Sequence, residues 1–130
     1  MGLILDTNFI ITAEREARRG GAKRVDHFLA NHPHDSLFIT FTVAGELACG
    51  QSASQRLDWD KLCRPYPVLP WTKEVSWQYG ELYRTLAPIG RLIGTNDLWI
   101  AATARANGMS VVTGNKQEFE RVPGLVVIGY

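Results

Sequence analysis

The sequence has few of the features that mark secreted, membrane-bound or strongly charged proteins. It has only two cysteines, Cys49 and Cys63, which form neither a C-x-x-C pair nor a zinc-ligand array, so they fit a reducing compartment. The formal net charge is +1, so the overall charge of the chain does not require nucleic acid or an anionic membrane as a partner. No apolar run approaches the ~20 residues that span a bilayer, and the stretch MGLILDTNFII lacks the basic region of a secretory signal. We therefore expect a cytoplasmic protein without a membrane partner.

Strand and helix patterns alternate along the chain. Its 130 residues, 45% apolar and 21% charged, fit one globular domain over residues 1–130. Short apolar or β-prone segments predict strands at 3–5, 37–40, 65–70, 110–113 and 125–128. Helices are predicted over 9–19, 22–30, 42–50, 52–62, 73–87 and 98–106, and a short one lies within 114–124. This alternation predicts an α/β domain with a mainly parallel central sheet.

The stretch LILDTNFI places an aspartate where the first strand ends. Ligands of open α/β sheets bind outside the carboxyl ends of the strands, so Asp6 lies where a functional group is expected. The alternative is that Asp6 only caps the next helix, a role that Asn8 could share.

Three further acidic residues are candidates for a functional site, and each also has an ordinary structural explanation. Glu46 has small residues at helical spacing, which leaves room for another element or an ion, although it also fits an exposed helical position. Asp97 follows Thr95 and Asn96, either of which would cap the helix and leave Asp97 pointing outward. The alternative is that Asp97 only stabilises the helix dipole. Glu118 follows the strand that ends at Thr113, although it also suits a short surface helix.

Several carboxylates brought within ~5 Å of one another repel, so their pKa values rise or a cation binds between them. Oxygen ligands favour Mg²⁺ or Mn²⁺ over zinc. Such an ion lowers the pKa of bound water and neutralises charge on a phosphoryl group. If these four residues converge, the pattern indicates phosphodiester hydrolysis.

Three segments together resemble the successive motifs of PIN-domain ribonucleases, and most of all the VapC-like toxins of type II toxin–antitoxin pairs. The segments are LILDTNFII, TFTVAGELACG and GTNDLWIAATARANGMSVVTGNKQEFERVPGL, and they cover essentially the whole chain in order. The resemblance implies a three-layer α/β/α sandwich that cleaves RNA with an acidic cluster holding Mg²⁺ or Mn²⁺.

The resemblance also implies roles for individual residues. Asp6 and Asp97 match direct metal ligands, and Glu46 and Glu118 complete the set directly or through water. The fourth acid varies in the family, so Glu120 and Asn115 remain alternatives to Glu118. Supporting contacts are expected from Asn8, Thr113 and Asn115.

The family implies three partners: an RNA substrate, a small antitoxin protein and a second copy of the chain in a homodimer. Two other functions remain open. One is a non-catalytic scaffold that binds RNA or protein, and the other is a flap-type DNA nuclease. A haloacid-dehalogenase-type phosphatase is disfavoured, because that class needs a second Asp two residues after the first, where this chain has Asn8.

Overall fold

The central sheet has five parallel strands. The computed structural model describes residues 1–21, 24–50 and 55–130. Its strands are β1 (Gly2–Leu5), β2 (Ser36–Thr40), β3 (Val68–Leu69), β4 (Ser110–Val112) and β5 (Val127–Ile128). They lie in the order β3-β2-β1-β4-β5, and all four pairings are parallel. The chain moves outward from β1 to β3 and then crosses to β4, so the strand order switches between β1 and β4.

Seven helices connect and cover these strands in the described ranges. They are α1 (Thr7–Arg18), α2 (Arg24–Asn31), α3 (Phe41–Ala48), α4 (Arg56–Cys63), α5 (Lys73–Leu86), α6 (Thr95–Asn107) and α7 (Lys116–Phe119). Right-handed crossovers, the hand that such connections adopt, put α1–α4 on one face and α5–α7 on the other. The predicted three-layer α/β/α fold is confirmed, with a sheet that is wholly parallel.

The two central strands form the middle of the core. Leu3, Ile4 and Leu5 of β1 are at most 1% exposed, and Val111 and Val112 of β4 are fully buried. A strand covered by helices on both faces must be apolar on both faces, which is why these segments read as continuous apolar runs. Burial on both sides holds β1 and β4 rigidly and fixes where their carboxyl ends lie.

Two helix starts differ from the sequence prediction. Helix α1 begins at Thr7, two residues early, because the Asp6 side chain caps it by accepting from the Phe9 N–H. Helix α6 begins at Thr95, with Gly94 as its N-cap and no side-chain capping bond, so the prediction that Thr95 or Asn96 caps it is wrong.

Other element bounds are close to their predictions. Strand β5 covers Val127–Ile128 and is shorter than predicted. The helices predicted over 22–30 and 52–62 appear as α2 and α4, and their predicted first residues, 22–23 and 52–54, lie outside the described residues. Within the described ranges, no helix is long and apolar enough to cross a membrane.

Candidate active site

Asp6 lies at the carboxyl end of β1, beside the strand-order switch, and is only 6% exposed. One carboxylate oxygen accepts from the Phe9 N–H at 2.9 Å and the other from the Thr113 hydroxyl at 2.6 Å. Burial raises the pKa of this carboxyl. These two hydrogen bonds and one from the Gly114 backbone oppose that rise, and the nearby charge of Glu46 adds to it. The hydrogen bonds thus hold Asp6 in one orientation, while burial disfavours the ionised form of its carboxyl group.

The turn after β4 links Asp6 to Glu118. The Thr113 hydroxyl oxygen accepts from the Asn115 N–H at 2.9 Å while its proton goes to Asp6. The Asn115 side chain donates to one oxygen of Glu118, and the Gly94 N–H donates to the other at 3.2 Å. The turn after β4, helix α7 and the N-cap of α6 are therefore joined by one connected hydrogen-bond network.

Glu46 reaches the same region from α3. The Thr7 hydroxyl donates to one of its carboxylate oxygens at 2.7 Å. A longer hydrogen bond of 3.4 Å runs from the Asn96 side chain to the other oxygen. Since Thr7 directly follows Asp6 and Asn96 directly precedes Asp97, these bonds tie Glu46 to both neighbouring acids.

Asp97 lies in the first turn of α6. Its pKa is raised from 3.8 to about 6, first by burial and then by the charges of Glu118, Glu46 and Asp6. The other three acidic residues proposed from the sequence therefore all lie within electrostatic range of Asp97. This crowding is greatest at Asp97, which has no hydrogen-bond donor that offsets its burial among the causes of the shift.

Two residues that the sequence offered as candidates lie apart from this network. Asn8 is exposed in the first turn of α1, and it is its neighbour Thr7 that donates to Glu46. Glu120 is exposed as the C-cap of α7, so Glu118 is the acid of that segment that faces Asp97.

Sequence reasoning did not assign site contacts to Thr7, Gly94 and Asn96. Thr7 lies within the motif LILDTNFI but had no predicted role, and Asn96 was predicted only as a helix cap. Gly94 contributes a backbone N–H, for which side-chain identity gives no signal.

The donor set at this site consists of oxygen atoms, which suits Mg²⁺ or Mn²⁺. In the part of the chain that the structure describes, no three His, Cys, Asp or Glu side chains already form a metal-ligand cluster. Glu46 and Glu118 are instead held by hydrogen bonds to Thr7, Asn96, Asn115 and Gly94. The chemistry and charge of the donors fit a divalent cation, and binding requires some side-chain movement.

Comparison with known proteins identifies the class to which this fold and site belong. The family model described as "PIN domain" matches residues 3–125, so the chain belongs to the PIN-domain family. Within that family it is VapC-like. It is 34% identical over 127 residues to Ribonuclease VapC1 of Haemophilus influenzae, a match that covers 94% of this chain and 92% of that protein.

Similar solved structures agree with the assignment of the chain to the PIN-domain family. The chain is similar to one in the structure of VapBC-1 from nontypeable Haemophilus influenzae, with a TM-score of 0.82, 29% identity and coverage of 99% and 98% of the two chains. A chain of VapBC2 from Rickettsia felis, solved bound to a DNA fragment from its promoter, gives a TM-score of 0.81 at 23% identity. That match covers 100% of this chain and 99% of the other, and it shows the shared fold.

Proposed function

We propose that this chain, as a single domain over residues 1–130, is a metal-dependent endoribonuclease and the toxin of a toxin–antitoxin pair. In this proposal Asp6, Glu46, Asp97 and Glu118 hold Mg²⁺ or Mn²⁺ and direct hydrolysis of RNA phosphodiester bonds. The observation that carries the proposal is that three of these acids converge on the fourth: the pKa of Asp97 is raised to about 6, first by burial and then by the charges of Glu118, Glu46 and Asp6. Similarity to Ribonuclease VapC1 supports RNA as the substrate.

A divalent cation would resolve an electrostatic conflict within the site. Carboxylates alone repel an anionic phosphodiester, and they also repel one another. When bound, the cation would supply an activated water and neutralise charge on the phosphoryl group. Asp6 and Asp97 are the proposed direct ligands, and Glu46 and Glu118 complete the set directly or through water.

Hydrogen bonds from other residues of the chain orient the carboxylates of Asp6, Glu46 and Glu118. The Thr113 hydroxyl and the Phe9 N–H fix the two oxygens of Asp6, so this carboxylate is in place before any ligand binds. Thr7 and Asn96 hold Glu46, and Asn115 and Gly94 hold Glu118. We infer that Glu46 or Glu118 positions the attacking water, since a carboxylate beside the bound cation would be suited to accept a proton.

The proposed partners follow from the relatives. The similar chains of the VapBC structures come from toxin–antitoxin complexes, which supports a small antitoxin as the protein partner of this chain. A homodimer is proposed from the family resemblance alone, and light scattering of the purified protein tests it.

The test is cleavage of a mixed pool of single-stranded RNA by the purified protein with Mg²⁺ or Mn²⁺, with and without EDTA. Asp6→Asn is the informative variant, because asparagine also caps a helix and the start of α1 should persist. Asp26→Asn, which changes an exposed aspartate of α2, is the matched control. We expect internal cuts by the wild type and the control, and none with EDTA or Asp6→Asn.

Other outcomes separate the alternatives. Cleavage that survives both EDTA and Asp6→Asn refutes the metal–carboxylate mechanism. Cleavage of DNA and not of RNA indicates the flap-type nuclease. A folded protein that binds the RNA pool without cutting it indicates the scaffold.

A further inference from the structure

Gly45 occupies a position in α3 where its own chain does not need a glycine. It lies in the helix interior, is exposed, and has no positive φ. A Cβ built there would meet no atom within 4 Å. Glycine weakens a helix interior relative to alanine, so the local structure favours a larger residue. A glycine without an internal reason indicates that something outside the helix approaches its backbone closely.

A cavity of about 340 Å³ opens directly over Gly45. We call it the α3–α6 cavity. Phe41, Thr42, Gly45 and Cys49 line it from the α3 side, Asn96 and Trp99 line it from α6, and Glu46 stands at its border with the acidic site. This volume lies within the ~300–1,000 Å³ range of small-molecule clefts.

The walls of the α3–α6 cavity have the chemistry that recognises a planar, polar ring. The Trp99 ring is half-buried and held by stacking on Tyr79, with ring centroids 4.0 Å apart, and Phe41 meets it edge-on at 6.1 Å. Asn96 lies on the rim and presents a carboxamide, which can both donate to and accept from a base edge. An aromatic ring beside a carboxamide is a common way to bind an unstacked base of single-stranded RNA.

We propose that the α3–α6 cavity binds one nucleobase of a single-stranded RNA whose neighbouring phosphate lies at the acidic site. The inference rests on the proposed ribonuclease function and adds a specificity subsite to it. The cavity borders Glu46, so a nucleotide next to the cut phosphate reaches it without leaving the site. Gly45 leaves space for the ring, Trp99 provides an aromatic wall, and Asn96 reads the base edge.

A second copy of the chain is the competing occupant, because a glycine also lets two helices pack closely. The lining favours the base. It combines an amide and a carboxylate with aromatic rings, whereas the core of a subunit interface is depleted in charged groups.

The first test is Gly45→Leu, which fills the cavity without touching the four acids. Gly80→Leu, which changes a glycine of α5 outside the cavity, is the matched control. With short single-stranded RNA substrates of each base composition, we expect Gly45→Leu to raise KM roughly tenfold or more or to change the preferred base. Its kcat should remain close to wild type and its thermal midpoint should not fall, and Gly80→Leu should keep the KM and base preference of the wild type.

The second test does not depend on cleavage. Cys49 is exposed on the cavity wall, and Cys63 is buried and serves as an internal reference. In Asp6→Asn protein with Mg²⁺, alkylation of Cys49 by N-ethylmaleimide is followed by mass spectrometry. The pentanucleotides rA5, rC5, rG5 and rU5 are the probes, and we expect at least one to slow the reaction.

The outcomes separate this inference from the function on which it rests. If the wild type cuts no RNA but a pentanucleotide protects Cys49, the proposed ribonuclease function is contradicted. The proposal that the cavity binds a base then still stands. A wild type that cuts RNA, while Gly45→Leu leaves KM and base preference unchanged, overturns the base site. So does light scattering that shows Gly45→Leu converting a dimer to a monomer, or a Cys49 that no pentanucleotide protects.

Discussion

Asp6 combines a structural contact with a candidate chemical role. Its two oxygens accept from the Phe9 N–H and the Thr113 hydroxyl, which start α1 and bind the turn after β4. Each carboxylate oxygen has two acceptor positions, so these bonds leave one position on each oxygen for a cation. The helix-cap and site-residue interpretations of Asp6 are therefore compatible, and the cap fixes the direction in which the remaining lone pairs point.

Asp97→Asn should stabilise the protein at pH 7.5 in the absence of divalent cations. The Asp97 carboxyl ionises near 3.8 when unfolded and near 6 when folded, so the folded state binds more protons between these values. Stability is therefore lost as pH rises from about 4 to about 6, and it stays lower above that range. Asparagine removes this loss, which is on the order of 1–2 kcal/mol once solvent screening of the half-exposed group is allowed for.

The helix dipole has a smaller effect of the opposite sign on the stability of Asp97→Asn. An aspartate in the first turn of α6 gains about 0.5 kcal/mol from the helix dipole, and Asp97→Asn gives this up. Urea unfolding in EDTA at pH 4 and pH 7.5, with Asp26→Asn as control, measures the balance. Equal stability of Asp97→Asn and wild type at pH 7.5 would contradict the electrostatic account of the site.

At the scale of elements, the sequence predicted the strands and helices that are held by local and core interactions. The runs at residues 3–5 and 110–113 were predicted as strands because a doubly covered parallel strand must be apolar throughout. The helix predicted from residue 73 is confirmed as α5, and the Thr72 side chain caps it by accepting from the Val75 N–H, a contact between residues three apart. Such contacts depend on a few neighbouring residues, so sequence reveals them.

The start of α6 shows why other features could not be predicted. Thr95 and Asn96 are both good capping residues, yet Gly94 is the N-cap and its carbonyl accepts from the Leu98 N–H at 2.8 Å. The Gly94 N–H donates to Glu118, which is 24 residues away in the sequence. The position of this helix start is set by the turn around α7, and neighbouring residues carry no trace of that contact.

Gly108→Ala should destabilise the protein by about 1 kcal/mol, because Gly108 ends α6 in the left-handed conformation at φ 63°. A Cβ there would meet no atom within 4 Å, so the cost is conformational and not steric. Gly45→Ala in the interior of α3 is the contrasting control and should stabilise by about 0.5–1 kcal/mol. Urea denaturation of both variants tests this, and changes of the same sign would contradict it.

Over the whole molecule, an almost neutral chain concentrates negative charge at one edge of its sheet. The net charge is +1, yet the charges of Asp6, Glu46 and Glu118 all act on Asp97. Sequence order and motif spacing were enough to select these four acids. The contacts from Thr7, Asn96 and Gly94 depend on how β1, α3, α6 and α7 meet, which is why local patterns did not reveal them.

Mg²⁺ or Mn²⁺ should raise the thermal midpoint of the wild type, because a cation that binds the folded acidic site and not the unfolded chain shifts the equilibrium toward the folded state. At a free concentration of one hundred times Kd the gain is about 2.7 kcal/mol, which for a domain of this size corresponds to several degrees. Thermal unfolding is followed by circular dichroism in EDTA and at increasing metal concentrations. Asp97→Asn removes one proposed ligand and should shift much less, whereas Asp26→Asn should shift as the wild type does. Equal shifts in all three proteins would place the cation elsewhere, and no shift with either metal would refute cation binding at the four carboxylates.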